Sequence, residues 1–539
     1  MLKRTGGALL FSSLGILPSL AARKSSATSG PGAIIGEPLG AEVGARVLAE
    51  GGNAIDAAVA AALMSCVATP ARCGIAGYGG HLTIALAGGK KIRSIDFNTT
   101  APAAATESMF PLDENGEVKG RINVFGWLAA GVPGTLAGLQ LALHRFGTRS
   151  LRELLQPAIS TAKQGFIVDP LFASTVRGAA ARFRKDPGSA RLYLRDGEPV
   201  KPGDRVPNPE LAELLATLAE RNSVESFYRG DIAQRISDEF QKQGGLVTPK
   251  DLAAYHASEV QPLHLRCQDH EIFTAPLTAG GLTILEALSI LKALRWGSMP
   301  GPAATHAQLE TLRLAWRDRL DLLGDPASVK VPVKKLLSSE YAEHLALQIK
   351  SAVNDHRPLN LTVRKHRDDG TNNICSVDNH GNMMAITLTQ GGSFGAQVTI
   401  AELGLTLGHG MSRFDPQPGS PNAPAPGKKP LHNMCPSVLL HSGQPILAIG
   451  GAGGMRIPNA VFDTLRQFIF RSKSLEDAVA SPRLHSTGTL NVSIENAWPE
   501  TDADYLSQIG FTLKKVESSA RVSAVAFDPK THECRAAMR

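Results

Sequence analysis

Three short segments of this chain carry residue types and spacings that could perform acyl transfer. Thr371 follows Asp369-Gly370 and opens a β-rich run. Cleavage of the Gly370–Thr371 bond would give Thr371 a free α-amine of pKa about 7.7 to 8.0, so that nucleophilic hydroxyl and base sit on one residue. The same residues also read as an ordinary turn entering a strand. A second segment, Gly450-Gly451-Ala452-Gly453-Gly454, follows the apolar run Ile446 to Ile449. Its backbone amides could approach an anion as an oxyanion hole, a device worth about 3 to 4 kcal/mol per donor, or it could simply end a strand. The third, Gly391-Gly392-Ser393-Phe394-Gly395, matches a GxSxG nucleophile elbow with Ser393 as the nucleophile. An elbow must open into a helix, and the β-branched Val398, Thr399 and Ile400 make the following residues a poor one.

Each segment needs elements to hold it. Thr371 precedes a hairpin: Ile374 to Asp378, a turn at Asn379-His380-Gly381-Asn382, then Met383 to Thr389. A polar, breaker-rich loop (353–370) lies before it, and a proline-rich stretch from Asp415 to Gly427 lies after it, as a linker or a pocket wall. Pro38 to Ala68 predicts a helix pair broken at Gly51-Gly52. Asn53 caps its second, Ala-rich member, whose composition suits close packing on a sheet. Leu82 to Ala87 and Glu271 to Ala275 read as strands, and helical patterns between residues 136 and 251 include Leu151 to Gly165 and Ile232 to Gly244.

The 539 residues, 43% hydrophobic and 19% charged, predict a large buried core, in three to four units or one large α/β domain. With 53 glycines and 34 prolines, many tight turns follow. An aromatic content of 5% is too low for a stacking nucleic-acid channel, and a net charge of +7 suits small anions without requiring nucleic acid. The pairs Lys90-Lys91, Lys334-Lys335 and Lys428-Lys429 read as solvated surface. The cysteines show no CxxC and no disulfide framework, with a single Cys66–Cys73 bridge left open. The histidines form no HExxH, and His380, His409 and His432 read as loop or surface residues, so neither metal nor cofactor is expected. Lys3, Arg4, the apolar run Ala8 to Leu20 and Ser19-Leu20-Ala21 read as an export signal over residues 1–21, placing the protein in the periplasm or outside the cell. If that segment is not a signal, the protein is cytoplasmic. No later run is long enough to span a membrane.

Taken in order, several motifs resemble the gamma-glutamyltransferase family of N-terminal nucleophile hydrolases. They are Gly51-Gly52-Asn53-Ala54-Ile55-Asp56-Ala57-Ala58, Thr100-Ala101-Pro102-Ala103-Ala104-Ala105, Gly131-Val132-Pro133-Gly134-Thr135, Gly244-Gly245-Leu246-Val247-Thr248 with Asp251-Leu252-Ala253-Ala254-Tyr255, and Pro424 to Pro436. Thr371 with Asp378, Gly381 and Asn382 matches the motif that opens the family's small subunit. The resemblance implies an α+β fold, a four-layer αββα sandwich made of two chains from one precursor: a large subunit (22–370) and a small catalytic subunit (371–539). It implies self-cleavage at Gly370–Thr371, Thr371 as nucleophile, Thr389 bonded to it, and Gly453 and Gly454 as oxyanion-hole donors. The substrate would be a small amide or peptide.

Three positions depart from the family pattern. Asn98 replaces the Arg that grips the glutamyl α-carboxylate, Arg413 replaces the Asp that pairs with its α-amine, and His432-Asn433 replace two serines. Such charge-assisted bonds are worth about 1.5 to 3 kcal/mol each, so an ordinary γ-glutamyl head group should bind poorly. The expectation is retained chemistry with a changed acyl pocket, with Arg413 meeting a carboxylate on another acyl group or standing as a surface Arg beside an empty pocket. The competing readings are an acylase for β-lactam side chains, dicarboxylyl or poly-glutamate amides, a noncatalytic binding protein on the same scaffold, and the Ser393 hydrolase.

Overall fold

The computed structural model describes residues 30–362 and 371–539. The expected export segment and Gly370 lie outside the described residues. The expected helix pair is present as α1 (Pro38–Ala49) and α2 (Ala54–Ala68), and Asn53 caps α2 by accepting from the amides of Ile55 and Asp56. Asp56 closes a capping box on the Asn53 amide and also accepts from Thr148 and Arg149, so the cap fastens the helix to a distant loop. Every residue of α2 is buried. Its alanines allow that, since longer side chains would hold neighbouring layers apart.

Twelve strands form two six-stranded antiparallel sheets. In chain order they are β1 (Gly32–Ile35), β2 (Gly79–Ala85), β3 (Ile92–Asp96), β4 (Ser258–Val260), β5 (Leu263–Cys267), β6 (His270–Thr274), β7 (Asn372–Asp378), β8 (Met383–Thr389), β9 (Ser437–His441), β10 (Gln444–Ala452), β11 (Arg521–Phe527) and β12 (Cys534–Met538). The first sheet runs β1-β7-β8-β2-β3-β4 and the second β12-β11-β10-β9-β6-β5. One core, including Ile374, Ile386, Leu82 and the α2 alanines, lies between the first sheet and its helices. A second joins the other sheet to α3 (Gly281–Leu294), α4 (Gly301–Leu322) and α5 (Arg456–Arg471). A third, with Cys375, Val377, Met383, Val438 and Val525, fills the space between the sheets. This is the αββα sandwich.

Burial on both faces explains why β7 and β8 read as continuous apolar runs. β2 starts at Gly79, earlier than the expected Leu82, because Gly79 and Gly80 pair with Thr389 and Leu388. The proline-rich stretch is a braced wall and no linker. Lys428 Nζ donates to the carbonyls of Pro421 and Ala423 at 2.8 Å, and Asn422 bridges Arg413 O (2.8 Å) and the Leu431 amide (2.9 Å). Lys428 is therefore buried, not a solvated surface residue: the loop folds over it and its ammonium satisfies carbonyls that proline-rich backbone leaves open. All six cysteines are free and buried, so the Cys66–Cys73 bridge is not formed. Among the described residues no helix is long and apolar enough to cross a membrane, and no three metal-ligating side chains gather.

Candidate active site

The β7–β8 hairpin is held by one carboxylate. Asp378 Oδ1 accepts from the amides of His380 and Asn382 (3.0 Å each), while Oδ2 accepts from Asn382 Nδ2 (2.8 Å) and from the Ala54 amide that starts α2 (3.1 Å). Gly381 has φ +84°, and a Cβ there would lie 2.7 Å from Phe527. The Asp, Gly and Asn of the motif thus build the turn that aims the strand.

Alternation along β7 sends Ile374 toward α2, where Ser376 also donates to Ala54 O, and Asn373, Cys375 and Val377 toward the second sheet. Two residues before Asn373, Thr371 continues the inward series and is 8% exposed. Asn372 pairs with Leu388, so the register sets Thr371 opposite Thr389. Thr389 Oγ1 accepts from the Gly391 amide at 2.8 Å. The adjoining step pairs Asn373 with Thr387, Thr387 with His81 and His81 with Asp96 across four strands. A polar row therefore runs through the space between the sheets, beginning two residues from Thr371.

The sheets touch beside it. A Cβ on Gly450 would sit 2.1 Å from Asn373 Oδ1, which itself accepts from Thr387 Oγ1 at 2.7 Å. Three residues on, Gly453 (φ +144°) and Gly454 (φ +61°) turn the chain from β10 into α5. Gly453 faces Ala520, and both positive φ angles favour glycine. The two amides meet no acceptor among the described residues, and they stand at the positive end of a sixteen-residue helix.

The structure gathers the three departing positions on the other side of the row. Asn98 is fully buried and commits both amide hydrogens, to Thr278 Oγ1 and Pro430 O (2.7 Å each), leaving only Oδ1 without a partner. His432 is buried, contrary to the surface reading. Its Nδ1 accepts from the Met434 amide (3.3 Å), and its Nε2 lies 2.8 Å from His81 Nδ1. Burial first, then the nearby His81, Arg319, Arg413 and Lys429, holds its pKa far below the ordinary value. His81 is likewise pushed down to about 4 by burial. Its Nε2 lies 3.3 Å from Asp96 Oδ1, and Lys429 Nζ lies 2.7 Å from Asp96 Oδ2. Burial would raise the Asp96 carboxyl, yet it sits below its usual range. Lys429 supplies the charge responsible, because His81 is neutral.

Arg413 is buried in the turn Gly410–Arg413, not on the surface. Beside it lies Arg319 of α4, whose Nη2 donates to His432 O (2.8 Å) and Asn433 Oδ1 (3.1 Å). Burial and then Arg413 lower its pKa to about 10. His81, Asp96 and Arg319 were not singled out from the sequence. The pattern Gly80-His81-Leu82-Thr83-Ile84, which puts His and Thr on one face of a strand, was the signal for His81, and Arg319 left none. His409 is also buried, with Nδ1 donating to Val124 O and Nε2 accepting from the Gly392 amide. His380 is exposed in the hairpin turn. Ser393 lies exposed in a turn that opens no helix, which removes the geometry an elbow requires.

A family model described as Gamma-glutamyltranspeptidase matches residues 40–539. The chain is 34% identical over 462 residues to the glutathione hydrolase proenzyme of Escherichia coli (82% of this chain, 79% of that protein). It is 35% identical over 508 residues to the acylase ACY 1 proenzyme of Pseudomonas sp. strain SE83 (92% and 89%). Among solved structures, the cephalosporin acylase from Bacillus halodurans superposes with a TM-score of 0.86 at 26% identity, covering 98% of this chain and 97% of that one. The Helicobacter pylori gamma-glutamyltranspeptidase gives 0.57 at 33% identity, covering 62% and 94%.

Proposed function

The chain belongs to the gamma-glutamyltranspeptidase family, and on that premise we propose that it is a self-processing amidohydrolase and acyltransferase whose nucleophile is Thr371 and whose acyl pocket no longer suits a γ-glutamyl group. Its relatives are enzymes, so the reading as a noncatalytic scaffold falls. The general class is amide cleavage or acyl transfer, and the residue roles and specificity are our inference.

In this reading the precursor is cut between Gly370 and Thr371, giving chains 22–370 and 371–539 once residues 1–21 have directed export. The freed α-amine takes the hydroxyl proton as Thr371 attacks an amide carbonyl, and Thr389, opposite in the register, orients the hydroxyl. The Gly453 and Gly454 amides receive the developing oxyanion at the start of α5. The amine then protonates the leaving amine. Water or a second amine takes the acyl group from the Thr371 ester and regenerates the enzyme.

The observation that carries the changed specificity is the hydrogen bonding at Asn98. Both of its donors are committed, so where the family has a cationic grip this chain presents a lone acceptor oxygen, which repels a carboxylate. Neutral His432, with both ring nitrogens engaged, offers no replacement. An acylase acting on non-glutamyl amides is the variant this favours.

The test is a denaturing gel with N-terminal sequencing, joined to an amide panel on wild type and Thr371→Ala. Two chains, the smaller beginning with Thr371, and turnover lost by about three orders of magnitude or more in Thr371→Ala are expected. An uncut, fully active chain would overturn the nucleophile. Glutathione hydrolysis at the level of an ordinary family member would overturn the changed pocket.

A further inference from the structure

An α-amine of ordinary pKa, about 7.7 to 8.0, is mostly protonated at neutral pH and cannot then act as a base. Two arginines stand where they would change that for Thr371, on segments that abut the Thr371–Thr389 pair from either sheet. Arg72 O accepts at 2.9 Å from the amide of Gln390, the residue after Thr389. The next residue, Cys73, accepts through its sulfur from Nδ2 of Asn372, the residue after Thr371, at 3.7 Å. Arg521 opens β11 opposite Ala452, one residue before Gly453, and Gly453 faces its neighbour Ala520.

Both arginines are half-buried. Among the described residues neither guanidinium makes a hydrogen bond or an ion pair. Burial first, then Arg72, holds Arg521 below its ordinary pKa, so the two charges repel each other. The acid that faces Arg521 is Glu37. It follows Gly36, whose Cβ would lie 3.1 Å from Asn373 O, and its carboxylate caps α1 by accepting from the Leu39 and Gly40 amides at 3.1 and 2.7 Å. The strands themselves bring only neutral groups here: Asn372, Asn373, Thr387 and Thr389. His409, packed on Gly391, has one ring nitrogen donating and the other accepting, the pattern of a neutral imidazole. Arg456, the first residue of α5, and Arg413 are the other cations of the region.

A positive field penalises an ammonium and leaves an amine untouched. One unit charge about 10 Å away, at an effective dielectric of about 40, moves such an equilibrium by about half a pH unit. The N-terminus of α5 acts in the same sense. We propose that Arg72 and Arg521 are positioning residues for the base: their charges keep the freed Thr371 α-amine unprotonated at neutral pH, ready to take the hydroxyl proton. They touch no reacting atom. The proposal rests on the Thr371 reading and adds to it what makes the amine basic enough to work.

The test is nitrogen NMR of the two-chain protein labelled with 15N-threonine, in which Thr371 supplies the one amine signal, far from the amides. Its midpoint in wild type should lie about one pH unit below the ordinary range. Arg72→Gln and Arg521→Gln should each raise it by about half a unit and the double variant by about one, while Arg72→Lys and Arg521→Lys hold it within about 0.2. Raising the salt to about 0.5 M should raise the wild-type midpoint and barely move that of the double variant. The acid limb of kcat/KM, measured with the best 4-nitroanilide of the amide panel, should move with the amine. An unmoved midpoint in the double variant, or equal shifts in the Lys and Gln variants, would overturn the proposal. A midpoint that moves while the kinetic limb stays would overturn the amine as base and leave the field effect standing. A protein with no Thr371 amine would overturn both.

Discussion

The hairpin that starts at Thr371 and the pocket around Arg319 lie on the same polar row, yet they use hydrogen bonds in opposite ways. In the hairpin Asp378 fills its acceptor sites with four donors from three residues, one of them the first amide of α2. In the pocket Asn98 Oδ1, Arg319 Nη1 and Asn433 Nδ2 go without. The first region is complete before any ligand arrives and fixes where β7 points. The second keeps polar capacity open and tolerates like charges, which lowers stability, and in the proposed function that capacity serves recognition. Change in such a family should accumulate where capacity is open, and the three departures from the family pattern lie there.

The sharpest way to break this contrast is Asp378→Ala. It strands four donors and frees the turn from α2, so urea unfolding should show a loss of about 3 to 5 kcal/mol, with processing at Thr371 impaired. A loss below about 1 kcal/mol would mean the hairpin is not the rigid partner in the comparison. A smaller effect comes from pH. The folded His81 titrates at about 4 and an unfolded one at about 6.5, so as pH falls below 6.5 the unfolded chain takes up a proton that the folded chain refuses. Stability is complete above pH 6.5 and declines below it, by about 2 kcal/mol from His81 between pH 6.5 and 5, with His432 adding in the same direction. His81→Gln should flatten that slope in unfolding midpoints measured across the range, and an unchanged slope would show that the pair is not buried neutral. The smallest effect is expected outside both regions. Ser393→Ala, at an exposed turn, should change stability by less than about 0.5 kcal/mol and leave turnover intact. Lost activity there would revive the elbow.

The same contrast explains what the residues disclosed by themselves. Asn53 with Asp56, the Asp378 turn and the Gly453-Gly454 corner are local solutions to local constraints, such as a cap, a tight turn or a positive φ, and they leave a pattern within a few residues. The pocket is non-local. His81 and His432 are 351 positions apart, and Arg319 reaches Asn433 from a helix 114 positions earlier. Nothing near Lys428 announces that a proline-rich loop will close over it, so a pair of lysines looked like surface. Asn98, Arg413 and Asn433 were legible only as departures from a resemblance.

The strand order has one more consequence. β7 and β8 lie between β1 and β2, and β9 to β12 adjoin β5 and β6, so each sheet contains strands from both sides of residue 371. With the cut where it is proposed, before Thr371, the two polypeptides would be interleaved through central ladders and would not meet along a separable surface. Pulling them apart would unzip β1 from β7 and β8 from β2 and open the core between the sheets. In that reading, subunit dissociation and global unfolding would be one event, and exchange between mature molecules would be as slow as denaturation itself.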